Sequence, residues 1–165
     1  MSPVSDVHAD VKGFLLALIR HFVEAGRLGV VRDEPFQMKT GPRLPGRSPD
    51  VAFVSARRRR QMKATYLAGP ADLVVEIISP ESRTRDRGEK FFEYEKGGVR
   101  EYWLVDPERR QAEFHRLGSR GAYQPIPVGS DGVFRSVVLK GLWLKVDWLW
   151  KRPPLMTVLR AWKLV

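Results

Sequence analysis

A chain of 165 residues with 43% hydrophobic content is long enough to bury a sizeable core, and its lack of cysteine excludes disulfides and thiolate zinc sites. The 29 Lys and Arg against 19 Asp and Glu leave a net charge of +10, which draws polyanions such as nucleic acid to the surface. No apolar run reaches membrane-spanning length and the start, MSPVSDVHADVKG, has no signal-like pattern, so the expectation is one domain over residues 1–165, away from the membrane, in a reducing cytoplasm.

Val7, Val11, Phe14, Leu15, Leu18, Ile19, Phe22 and Val23 recur at helical spacing. They predict a helix from Asp6 to Glu24, capped by Ser5 or Asp6 and ended by Gly26 or Gly29. His8 falls in its first turn, beside the apolar stripe. Gly29 to Arg32 and Pro35 to Thr40 read as short strands, and the glycines and prolines of Gly41 to Arg47 as a loop. The stretch Ser48 to Val54 predicts another strand, opened by Asp50 with Ala52 and Val54 on its side. Arg57 to Arg60 reads either as a solvated turn or as a contact to a phosphate backbone. Gln61 to Pro70 connects onward.

The most informative stretch is Ala71 to Pro107. Leu73 to Ile78 is a continuous apolar run broken only by Glu76. Such a run predicts a strand covered on both faces, with Glu76 on the side of Val74 and Ile78. An ionised carboxylate there costs several kcal/mol unless a metal ion or a lysine compensates it. Ser79-Pro80 stops the strand, and a helix is predicted from Arg83 to Lys96, capped by Ser82 or Thr84 and stopped by Gly97-Gly98. Asp86, Lys90 and Tyr94 share one face of it, Asp86 and Lys90 making at least an ordinary ion pair. Tyr102 to Val105 is a second strand, so the unit is a parallel crossover whose helix lies across the sheet.

Beyond it, Gln111 to Leu117 returns antiparallel, Ala122 to Val128 makes another strand, and Val133 to Leu139 is a further strand or extended segment. Gly141 to Leu144 is extended and Val146 to Trp150 forms a helical turn. Residues 151–165 are a C-terminal tail that packs as a helix or mediates association. Trp143, Trp148, Trp150 and Trp162 read first as core filling and second as the face of a homodimer.

Two acids on neighbouring strands with a lysine near by suit phosphodiester hydrolysis, because hard oxygen ligands hold Mg²⁺ or Mn²⁺. Two carboxylates and a backbone carbonyl, that of Ile77, are enough protein ligands for an ion that keeps several waters. Competing chemistries lack anchors: there is no phosphate-binding glycine loop and no GxSxG, and His8, His21 and His115 are scattered.

The segments RSPDVAFVSARR and ADLVVEIISPESRTRDRGEKFFEYEKGGVREYWLVDPERR resemble the Uma-two family, described as restriction endonucleases and a branch of the PD-(D/E)XK nuclease superfamily. The resemblance is strongest from Pro49 to Arg110 and looser over the His8 helix and LKGLWLKVDWLW. It implies an α/β (α+β) fold: a restriction-endonuclease-like mixed β-sheet flanked by helices, with a central β-α-β crossover and a metal site at the sheet. Asp50 falls on the superfamily's first acid and Glu76 on its second. Two residues further on, where that pattern has lysine, this chain has Ile78. Lys90 matches the lysine of the family's own helical motif and is assigned as the displaced catalytic lysine. Ser79, Tyr94, Asp86 and His8 are the supporting candidates, and Arg57, Arg58, Arg83, Arg85 and Arg87 the candidates for nucleic-acid contact. The function implied is a Mg²⁺- or Mn²⁺-dependent DNA endonuclease. Ile78 and the positive charge motivate the alternative, an inactive nucleic-acid-binding or regulatory protein that keeps the fold.

Overall fold

In this computed structural model, which describes residues 5–165, the chain opens with a capped helix. Ser5 Oγ accepts from the His8 N–H, and α1 spans Asp6–Gly26. It ends at Gly26, one of the two expected stops, and Arg27 forms the cap: the left-handed backbone there (φ 52°) turns the N–H onto the carbonyls of Glu24 and Val23. Val11, Leu15, Leu18, Ile19 and Val23 form the buried stripe, each contributing roughly 1.5–3 kcal/mol of burial.

The strands are β1 (Gly29–Asp33), β2 (Gln37–Lys39), β3 (Val51–Ser55), β4 (Tyr66–Ala68), β5 (Leu73–Ile77), β6 (Glu101–Asp106), β7 (Gln111–Leu117), β8 (Tyr123–Pro125), β9 (Val133–Arg135) and β10 (Trp143–Lys145). The remaining α-helices are α2 (Arg83–Arg87), α3 (Glu89–Gly97) and α4 (Leu155–Ala161). Six strands form the main sheet in the order β1-β3-β5-β6-β7-β8. Every pairing in it is antiparallel except β5 with β6. That parallel pair requires a crossover, which α2 and α3 supply. The sheet is mixed and flanked by helices, as expected.

β3, β5 and β6 run through the middle of the molecule and are almost wholly buried, which is why their sequences are continuous apolar runs. On one face, Val51, Phe53, Leu73, Val75, Ile77 and Trp103 meet the stripe of α1. On the other, Ala52, Val54, Val74, Ile78, Tyr102 and Leu104 meet Tyr94 of α3, together with Met38 and Leu67 from a small β2–β4 pair. Glu76 therefore belongs to the α3 side, with Val74 and Ile78.

Several local expectations change. The predicted connection Gln61 to Pro70 contains β4, whose parallel partner β2 is distant in sequence and invisible to local pattern. The single helix expected from Arg83 to Lys96 breaks at Gly88, where a Cβ would sit 2.8 Å from the Thr84 carbonyl. Of the strand or extended segment expected from Val133 to Leu139, the strand ends at Arg135, and the Val137 and Val138 amides turn onto the buried Glu101 carboxylate. The C-terminal tail folds as α4 against α1. Trp162 lies edge-on to Phe22, with ring centroids 5.6 Å apart, and its Nε1–H donates to the Trp143 carbonyl at 2.8 Å. Trp148, Trp150 and Trp162 pack half-buried against the α1-side core, and the Trp143 ring lies 5.4 Å from that of Trp148. No described helix is long and apolar enough to cross a membrane.

Candidate active site

β3 begins, and β5 and β6 finish, at the same end of the sheet, and a cleft of about 650 Å³ opens there. Asp50, Glu76, Ile77, Ser79, Arg85 and Lys90 are among the residues that line it, with His8 at the start of α1. Asp50 is placed by the backbone it precedes. β3 and β5 are antiparallel neighbours, so the residue before Val51 meets the residues after Val75. Its Oδ2 accepts the Ile77 N–H at 2.7 Å, whereas Oδ1 faces the Lys12 ammonium at 3.9 Å.

Glu76, 2% exposed, is held from above by α3. The Tyr94 hydroxyl donates to its Oε1 at 2.7 Å, and Lys90 Nζ stands 3.0 Å from its Oε2. The same ammonium is 2.8 Å from Asp86 Oδ1, and Asp86 Oδ2 accepts the Ser82 hydroxyl at 2.5 Å. The helical spacing of Asp86, Lys90 and Tyr94 survives the break at Gly88, so Lys90 and Tyr94 both reach Glu76 and Asp86 joins them through Lys90.

Charge in this group is unbalanced. Burial pushes the Glu76 carboxyl up to about 8; Lys90 pulls it down, and the nearby Asp50 and Asp86 push it further up. Burial likewise raises Asp50, against the Ile77 hydrogen bond. For Lys90, burial acts to lower the pKa, but Glu76 and Asp86 outweigh it and the ammonium is held charged. Three carboxyl groups thus crowd one buried lysine.

His8 and Lys12 lie one turn apart on α1 and both reach the cleft end. His8 Nε2 is 2.8 Å from the Ile77 carbonyl, which can only accept, so Nε2 carries the hydrogen of this bond. Sequence reasoning passes over Lys12, although its i, i+4 relation to His8 is there to be read. It also passes over Arg47, whose guanidinium clamps Glu93 of α3 through bonds of 2.7 and 2.8 Å and so ties the loop before Asp50 to that helix.

The arginine candidates separate. Arg85 lines the cleft, exposed and without an ion pair among the described residues. Arg83 is bound to Asp106 (3.2 Å) and Glu108 (3.3 Å), and Arg87 to Glu113. Arg57 and Arg58 are not brought to the site. They follow the far end of β3, about 17 Å from Asp50 at the rise of an extended strand. Arg58 is also engaged, donating to the Pro70 carbonyl at 3.0 Å and lying 3.6 Å from Asp72.

Asp50, Glu76 and the Ile77 carbonyl are all oxygen donors at one place, and the excess of acid over base around them suits a hard cation. The carbonyl's second lone pair remains available beside His8. The described residues contain no group of three His, Asp or Glu that forms a metal cluster by itself.

No curated protein matches the chain significantly. A solved structure from Anabaena variabilis ATCC 29413, titled as "a putative nuclease belonging to DUF820", superposes with a TM-score of 0.75 at 17% identity, covering 91% of this chain and 83% of that one. At that identity the likeness establishes the fold. The family model described as "Putative restriction endonuclease", Uma2, matches residues 1–147, and the chain belongs to that family.

Proposed function

We propose that this protein is a divalent-metal-dependent nuclease that hydrolyses phosphodiester bonds in DNA. The observation that carries the reading is the position of the Lys90 ammonium, 3.0 Å from Glu76 Oε2, in a cleft that Asp50 also lines. It favours catalysis over a binding-only protein, because on this reading Lys90 of the crossover helix takes the part of the lysine absent at Ile78.

Asp50, Glu76 and the Ile77 carbonyl would hold Mg²⁺ or Mn²⁺. Bound there, the ion polarises the phosphoryl group and lowers the pKa of water. The chain's own groups supply the rest. Lys90 stabilises negative charge that develops on the phosphoryl oxygens. Tyr94 and the Ser82–Asp86 pair fix Glu76 and Lys90 in place, which keeps reorganisation small. Arg85, on the cleft wall and without an ion pair among the described residues, attracts a neighbouring phosphate of the same strand. His8 holds the Ile77 carbonyl, and through it the end of β5.

The test is cleavage of plasmid DNA with Mg²⁺ or Mn²⁺ and with chelator. The expected result is metal-dependent nicking by wild type and a loss of about 10²–10³-fold in Glu76→Ala or Asp50→Ala. Equal cutting by Glu76→Ala and wild type would sink the proposal. Duplex binding without any cutting by wild type would return the protein to the binding-only class.

A further inference from the structure

We propose that the end of the sheet opposite the cleft is a second nucleic-acid surface, which takes the phosphate backbone of a duplex on Arg57, Arg59, Arg60, Arg100, Arg116 and Arg120. The choice of duplex DNA as partner rests on the nuclease reading; the surface itself does not.

The run Arg57 to Arg60 lies in a short 3₁₀ helix, Ala56–Gln61. Three residues per turn put Arg57 above Arg60 and Arg58 above Gln61 on another side. The Arg58 side faces the protein: its guanidinium is bound to the Pro70 carbonyl and to Asp72. Arg57, Arg59 and Arg60 are exposed and have no ion pair among the described residues. One arginine of the run is therefore an anchor, and the other three are displayed from a support already fixed by the fold. Less ordering entropy is lost when such groups meet a ligand.

The acid beneath them is overmatched. Asp72 accepts the Ser55 N–H at 2.7 Å and stands 3.6 Å from both Arg58 and Arg100. One buried carboxylate thus faces two guanidinium groups. Sheet topology brings further charge to this end. Arg116 is paired in register with Glu101, the first residue of β6, and Arg120 lies in the turn from β7 to β8; both are exposed. Of the other acids at this end, Glu101 is buried and bonded to the Val137 and Val138 amides, Glu95 is committed to the Tyr123 N–H at 2.8 Å, and Glu24 stands in the last turn of α1.

β3 and β7 are three strand spacings apart, about 14 Å. That is close to the roughly 12 Å width of the major groove of a duplex, so cations at both sides can meet the two backbones that border it. Phosphate contacts of this kind carry no sequence information and bind by releasing counterions.

The experiment is fluorescence anisotropy with a short random-sequence DNA duplex, without divalent cation, over a series of salt concentrations. Wild type is compared with the triple variant Arg57→Gln, Arg59→Gln, Arg60→Gln; Arg58 is left in place because it is bound to the protein, and thermal melting checks that the variant is folded. The expected result is a slope of log affinity on log salt reduced by about 2–3 units, at about 0.9 for each phosphate no longer neutralised. An unchanged slope in the folded variant overturns the proposal, as does displacement of the duplex by polyglutamate at equal charge. Failures stay distinguishable: a wild type that binds through these arginines but never cuts defeats the nuclease reading alone, and a triple variant that cuts and binds like wild type defeats this surface alone.

Discussion

Buried acids stand at both ends of the same sheet, and their surroundings are opposite. At the far end Glu101 is fully buried and saturated with donors: the Trp103 indole N–H at 2.7 Å, the Ser136 hydroxyl at 3.0 Å, and the Val137 and Val138 amides at 3.0 and 2.7 Å. Asp72 beside it has a backbone amide and two arginines. At the cleft end Glu76 has one tyrosine hydroxyl and a lysine that it shares with Asp86, while Asp50 adds more negative charge. A buried carboxylate that the protein satisfies completely holds a loop in place. One that is crowded by other carboxylates and lines a cleft is, on the proposed reading, the one that takes a cation from outside.

The largest expected effect breaks the cleft side of this contrast. Glu76→Ala should lower metal-dependent cleavage by about 10²–10³-fold while leaving the protein folded, as read by plasmid nicking and circular dichroism. Glu101→Ala should do the reverse. It strands the Trp103, Val137 and Val138 N–H groups in the interior and should cost about 3–5 kcal/mol in denaturant unfolding, with cleavage per folded molecule retained. If the two variants exchanged phenotypes, the distinction between the ends would collapse.

pH sharpens the comparison. Glu76 is lifted to about 8 from an ordinary 4.5, so the folded state binds its proton more tightly than the unfolded chain. Its contribution to stability is full below about 4.5 and is lost as pH rises through 8. Burial moves Asp50 and Glu101 in the same direction. Metal-free protein should therefore unfold at lower denaturant as pH rises over this range, and Glu76→Gln should flatten that dependence. Added Mg²⁺ should stabilise wild type more at pH 8 than at pH 5, since binding competes with the proton. Equal stabilisation at both values would count against Glu76 as a ligand.

The smallest expected change is Tyr94→Phe. It removes one donor from Glu76 while keeping the ring against Tyr102, where the centroids are 5.1 Å apart. A loss of about 1–2 kcal/mol or less in stability is expected, with a modest fall in cleavage. An effect as large as that of Glu76→Ala would give the tyrosine a direct part in the chemistry.

Much of the central unit is legible in the sequence because its signals are local. A continuous apolar run marks a strand covered on both faces, and alternation along that strand puts Glu76 with Val74 and Ile78. Four-residue spacing puts Asp86, Lys90 and Tyr94 on one face, and the gap between the two apolar runs requires a crossover. The pairing of β2 with β4 is hidden, because its partners are short and far apart in the chain. The same holds for Arg47 with Glu93 and for Lys12 near Asp50, pairs that meet only when the loop before Asp50 and the helix α1 close on the sheet.

Sequence alone determined which residues had to be inside and which face each turned toward, since strand and helix periods are properties of neighbouring residues. Tertiary structure decided which charges meet. It gave Glu76 a lysine from a helix, Lys90, and it used Arg58 to hold Asp72. It also set Arg57 a strand's length away from Asp50. The reason is physical: the strength of an ion pair depends on separation and burial, and both are set by how strands order themselves in the sheet, which no local pattern encodes.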